Sequence, residues 1–150
     1  MELILWRHAD AEETRPDLDR ELTDKGRKQA ARVADWVTLR LPPDIRILVS
    51  PAIRAVQTAQ ALGRNYEIVP ALAPGARVED VLSVAGWPNS SHPVMIVGHQ
   101  PTLGQVAMFL LSGQTGDLTV KKAGIWWFQN RGRMGEMQAV LRAVAVPDWL

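Results

Sequence analysis

A chain of 150 residues that is 47% hydrophobic and 22% charged has the size of one globular domain, able to bury about 70% of its unfolded surface. The 17 basic and 16 acidic residues nearly cancel, to a net charge of +1, and the two signs are interspersed without a long Lys/Arg run, which argues against nucleic-acid binding. Cysteine is absent, so disulfides, thiolate metal sites and a cysteine nucleophile are excluded.

The first pattern in the chain is Leu3-Ile4-Leu5-Trp6, a short apolar run that reads as a buried strand and ends abruptly in Arg7 and His8. The run is too short for a signal peptide or a membrane span, so a cytoplasmic protein without a membrane partner is the expectation. Residues 9 to 22 carry six carboxylates against Arg15 and Arg20 and read as a polar loop outside the core. From Thr23, a suitable N-cap, apolar residues recur at Ala30, Val33, Ala34, Val37 and Leu41. That spacing lines one helical face, and Pro42-Pro43 ends it.

Ile45 to Val49 reads as a second buried strand. Ser50-Pro51 then suits an N-cap and first helical position, for a helix that runs to Leu62 and stops at Gly63. A short strand is expected over Tyr66 to Val69 and a helix over Val78 to Ala85, ended by Gly86. Val94 to Val97 is another apolar strand, and Gly98-His99-Gln100-Pro101 turns it into a helix from Thr102 to Leu111. Gly124 to Gln129 and Glu136 to Ala143 read as antiparallel strands joined around Asn130-Arg131-Gly132. Alternation of strand and helix implies a parallel sheet. The expected fold is therefore a single α/β domain spanning residues 1–150: three α/β/α layers, a mainly parallel central sheet and a C-terminal antiparallel hairpin at its edge.

Three of these strands place polar residues at one sheet edge: Arg7 and His8 after the first, Ser50 and then Arg54 after the second, His99 after the fourth. The carboxyl edge of an open α/β sheet is where ligands bind. Two guanidiniums there supply charge-assisted donors to a doubly charged phosphoryl group, and two imidazoles supply a nucleophile or proton carrier near neutral pH. His92 sits in a Ser-rich loop with no such company. The histidines lack the close helical spacing of a zinc site, and no Gly-x-Ser-x-Gly, Walker loop or Gly-x-Gly-x-x-Gly is present. Adjacent Trp126 and Trp127 must face opposite sides of a strand, which suits a sheet covered on both faces.

These residues resemble the motifs of the histidine phosphatase superfamily, related to phosphoglycerate mutase, and in particular its short, SixA-like phosphohistidine phosphatases. The resemblance is carried by Arg7-His8-Ala9, by Leu22-Thr23 with Gly26 and Gln29-Ala30, by Ser50-Pro51-Ala52-Ile53-Arg54 running into Gln57-Thr58-Ala59, and by Gly98-His99. It implies a phosphatase in which His8 takes the phosphoryl group, Arg7 and Arg54 clamp its oxygens, and His99 stabilises it by hydrogen bond or charge. Water then frees the enzyme, and no metal or other cofactor is required because arginines supply the positive charge. The implied partner is a phosphohistidine protein in signal transduction, because the chain lacks length for the insertions that build pockets over small molecules. A small phosphomonoester, or a non-catalytic phosphate-binding module, is the alternative. Oligomeric state is not expressed in the sequence.

Two positions depart from the family pattern. Ala9 replaces the usual glycine, which requires a negative φ there. Larger members place an acid after the second crossover to protonate an alkoxide leaving group, and here only Glu79 and Asp80 stand as proton-donor candidates. Finally, arginines beside His8 lower its pKa while bound phosphate raises it, so the two histidines are expected to titrate differently and activity to fall within the range from pH 8 down to 5.

Overall fold

The structure, a computed structural model, describes residues 1–134 and 136–150. Its centre is a six-stranded sheet in the order β3-β2-β4-β1-β5-β6. The strands are β1 (Glu2–Arg7), β2 (Arg46–Val49), β3 (Glu67–Ile68), β4 (Val94–Gly98), β5 (Ile125–Asn130) and β6 (Ala139–Ala145). The first four run parallel: β1 beside β4, β4 beside β2, β2 beside β3. Antiparallel β5 and β6 complete the other side as a hairpin at the edge.

Four helices connect these strands: α1 (Asp24–Thr38), α2 (Ile53–Gln60), α3 (Val78–Ala85) and α4 (Thr102–Ser112). Two apolar clusters divide them between the faces. Ala30, Val33 and Val37 of α1 and Ala55 and Ala59 of α2 pack on Ile4, Trp6, Ile47, Val49, Met95 and Val97. On the other face Val81 and Ala85 of α3 and Leu103, Val106, Ala107 and Leu110 of α4 pack on Leu3, Leu5, Leu48, Val94 and Ile96. The layers follow from the sequence: strand residues alternate between clusters with period two, while the helices present one stripe each. Strand β4, central and covered on both sides, is buried throughout, which explains its continuous apolar run. Trp127 joins the first cluster and Trp126 packs against the second, the opposite-facing arrangement expected of adjacent strand residues.

The element boundaries follow their local chemistry. Thr23 caps α1, its side chain accepting from the Gly26 amide at 2.9 Å. Helix α3 ends at Gly86, whose φ of 69° is the left-handed geometry that glycine adopts without Cβ strain.

Three expectations are revised. Helix α2 starts at Ile53 with Ala52 as its N-cap, because the Ser50 hydroxyl accepts from the Ala52 amide at 3.2 Å in a turn before the helix. The last strand starts at Ala139: Asn130 Oδ1 accepts from the amides of Gly132 and Gln138, both at 2.9 Å, and so closes a wider loop. The polar loop after His8 is not wholly outside the core, since Ala9, Ala11 and Leu22 are buried and Ala11 bridges Leu22. Among the described residues no helix is long and apolar enough to cross a membrane.

Candidate active site

Parallel strands β1, β2 and β4 end together. The register pairs Arg7 with Gly98 and Val49 with Val97, and two backbone bonds extend it, His8 N to Gly98 O and Ser50 N to Val97 O, each 3.0 Å. His8, Ser50 and His99 therefore emerge side by side at the carboxyl edge. Arg54, in the first turn of α2, completes the group: its Nε stands 3.4 Å from His8 Nε2. The two imidazole centroids are 5.2 Å apart.

Each group is held by further contacts, most of them between the motifs themselves. His8 Nδ1 lies 2.7 Å from Ala9 O; a carbonyl only accepts, so Nδ1 carries the proton and Nε2 exposes its lone pair. Arg7 donates from Nη1 to Val120 O at 2.9 Å. Ala9 N donates to Thr58 Oγ1 at 3.0 Å, and that hydroxyl donates to Arg54 O at 2.7 Å, so one threonine couples the His8 loop to α2. Positive φ among the described non-glycine residues is confined to Ala123 and Met134, so Ala9 takes the place of glycine without strain.

The remaining motif residues brace the loop that follows. Gln29 Oε1 accepts from Asp10 N at 3.0 Å, and Gln57 Oε1 from Leu22 N at 2.8 Å. Gly26 lies against the Asp10 carbonyl, which a Cβ would overlap.

Burial sets the electrostatics. His8 is 7% and His99 4% exposed. His8 is lowered to about 4, first by desolvation and then by Arg54, Arg7 and Arg20, against the raising effect of the Ala9 hydrogen bond. His99 is lowered to about 3 by desolvation, His8 and Arg54. Both rings are therefore neutral at pH 7, each displaced downward from the ordinary histidine value. Burial also lowers the Arg7 pKa.

Sequence reasoning missed two contacts. Arg54 donates from Nη1 to Asp17 O at 2.7 Å and from Nη2 to Asp17 Oδ2 at 3.2 Å; the acidic composition of the loop was the one available signal. Ser50 Oγ lies 2.6 Å from His99 Nε2. Neither Glu79 nor Asp80 is hydrogen-bonded to His8 or His99. Asp80 accepts from the Arg77 amide at 2.9 Å, capping α3, and Glu79 lines a groove of about 560 Å³ with Arg77, Thr102, Gln105 and Phe109. Among the described residues no group of three His, Asp or Glu side chains could hold a metal ion.

Two neutral imidazoles and the Arg54 guanidinium thus stand together at the sheet's carboxyl edge, and comparison with known proteins gives the chain's family. Residues 3–77 match the histidine phosphatase superfamily, branch 1, and the chain belongs to that superfamily. Within it the chain falls in the SixA-like branch. It is 29% identical over 124 residues to the phosphohistidine phosphatase SixA of Escherichia coli, covering 77% of each chain. An uncharacterized protein of Picosynechococcus is 37% identical over 136 residues, covering 83% of this chain and 82% of its own. The fold matches that of the protein histidine phosphatase SixA complexed with tungstate, with a TM-score of 0.80, 24% identity and coverage of 99% and 98%.

Proposed function

We propose that residues 1–150 form one phosphatase domain that hydrolyses phosphohistidine on a protein through a phospho-His8 intermediate, in cytoplasmic signal transduction. The observation that carries this reading is the orientation of His8, whose Nδ1–H is spent on Ala9 O and whose Nε2 lone pair faces Arg54 Nε. A neutral ring at pH 7 is the nucleophilic form, and a loose phosphoryl-transfer transition state needs positioned donors more than covalent assistance. Arg7 and Arg54 supply those donors, with His99 beside them.

In the first step His8 Nε2 bonds to phosphorus as the substrate's P–N bond breaks. A leaving imidazole that already carries a proton on its other nitrogen departs neutral, so no carboxylic acid has to deliver one. In the second step water attacks phosphorus and the P–Nε2 bond breaks. His8 leaves as the neutral Nδ1–H ring, and both water protons go to phosphate and solvent. The SixA relative complexed with tungstate, an oxyanion of phosphate-like shape, supports an anion site on this fold.

A second reading, hydrolysis of a small phosphomonoester, is favoured by the groove beside Thr102, whose volume of about 560 Å³ falls in the range of small-molecule sites. A silent phosphate-binding module is disfavoured by an imidazole already set in its nucleophilic tautomer.

Rapid quench with a phosphohistidine peptide labelled on phosphorus should trap acid-labile, base-stable phosphate on His8, and none in His8→Ala. Label that persists in His8→Ala would remove the nucleophile assignment. Faster turnover of sugar phosphates than of phosphohistidine would favour the second reading.

A further inference from the structure

Ser50 is fully buried and His99 nearly so. The Ser50 hydroxyl has one proton and two lone pairs. One lone pair is committed, because the Ala52 backbone N–H can only donate to it, at 3.2 Å. Its second contact is His99 Nε2 at 2.6 Å. His99 Nδ1 is buried and has no hydrogen-bond partner.

A neutral imidazole has one N–H and one lone pair, which leaves two arrangements. If His99 Nε2–H donates to Ser50, the Ser50 proton has no acceptor among the described residues, and the Nδ1 lone pair is also unmet. If Ser50 O–H donates to Nε2, the hydroxyl is satisfied and the sole orphan is an N–H on Nδ1. Each buried group left without a partner costs about 1–3 kcal/mol, so the second arrangement is preferred. The two also differ in what they offer a ligand: a lone pair repels a phosphoryl oxygen, whereas an N–H binds it.

We propose that Ser50 is a positioning residue that fixes His99 as its Nδ1–H tautomer, so that a neutral ring presents one N–H donor to the transferring phosphoryl group. The proposal rests on the phosphatase reading and deepens it: His99 acts as a hydrogen-bond donor rather than as an imidazolium. It also gives the serine of the Ser50-Pro51-Ala52-Ile53-Arg54 stretch a task besides turning the chain.

Long-range ¹H–¹⁵N spectra of the labelled protein near pH 7, assigned with His99→Gln, should give His99 a protonated Nδ1 and an unprotonated Nε2. The reverse pattern in the wild-type protein would overturn the proposal, whatever the substrate. On a phosphohistidine peptide, Ser50→Ala should lower kcat by about tenfold or more with KM within about threefold, and its His99 signals should show mixed tautomers. Ser50→Thr, which keeps the hydroxyl, should restore the wild-type signals and recover kcat. Unchanged His99 signals in Ser50→Ala, with wild-type kcat, would equally defeat it. Absence of turnover in the wild-type protein would instead overturn the phosphatase reading, and the spectra would still decide the tautomer.

Discussion

The neutrality of His8 can be tested by titration, and its cause by one substitution. An ordinary histidine titrates near 6.5, so at pH 5 only about 3% of it is neutral. With its pKa lowered to about 4, His8 should be about 91% neutral at pH 5. Ring resonances followed from pH 3 to 8, assigned by their loss in His8→Ala, measure this directly. The acid limb of kcat/KM, corrected for substrate ionisation, should then lie below pH 5 rather than within the neutral range. Desolvation is the larger cause and Arg54 a smaller one, so Arg54→Met, which removes the charge and keeps apolar bulk, should recover less than about half of the shift. Stability must follow. The unfolded chain binds a proton near 6.5 and the folded one only near 4, so acidification through that window favours unfolding, by about 3 kcal/mol from His8 alone. Depression of the His99 pKa to about 3 extends the loss to lower pH. A His8 titration above pH 6, or full recovery of the ordinary value in Arg54→Met, would refute the assignment of the shift to burial.

Further outcomes are expected from other positions. Gly26→Ala drives a methyl into the Asp10 carbonyl and should destabilise the protein by about 1–3 kcal/mol in urea unfolding. Trp6→Phe leaves the Ala123 carbonyl without the indole N–H now 2.9 Å away, and should lower stability by about 2 kcal/mol or more. On phosphohistidine, neither Glu79→Gln nor Asp80→Asn should cost more than about tenfold in kcat, roughly 1.4 kcal/mol of barrier. Efficient hydrolysis of serine phosphate, abolished by either substitution, would reverse the view that no carboxylic acid is needed.

The sequence was most legible where side chains declare their surroundings. The apolar runs of β1, β2 and β4, the 3.6-residue stripe of α1 and the glycines after α3 and α4 placed the sheet edge, and with it Arg7, His8, Arg54 and His99. What escaped was whatever acts through the backbone or through distance. The carbonyls of Val120 and Ala123, which hold Arg7 and Trp6, carry no sequence mark, because every residue offers a carbonyl. Asp17 reached Arg54 from 37 positions away, from a loop with no periodicity to fix its path. The depth at which both histidines sit depends on packing from both faces, so the acid limb could be anticipated but not its position. Ser50 resembled a helix cap because capping and contacting an imidazole use the same hydroxyl.

In the phosphatase cycle proposed above, the Asp17 contact bears on how the site empties. A guanidinium has five N–H donors, and on Arg54 three are engaged: Nε with His8, Nη1 with Asp17 O, Nη2 with Asp17 Oδ2. Once Nε2 of His8 is bonded to phosphorus it no longer accepts, and the Arg54 Nε–H is freed for a phosphoryl oxygen at the moment one arrives. When the P–Nε2 bond breaks, the His8 lone pair reclaims that N–H, while the Asp17 carboxylate, kept anionic by Arg20 and Arg54, repels the orthophosphate produced. In that cycle the resting contacts would compete with product more than with the bound intermediate, and favour departure over retention.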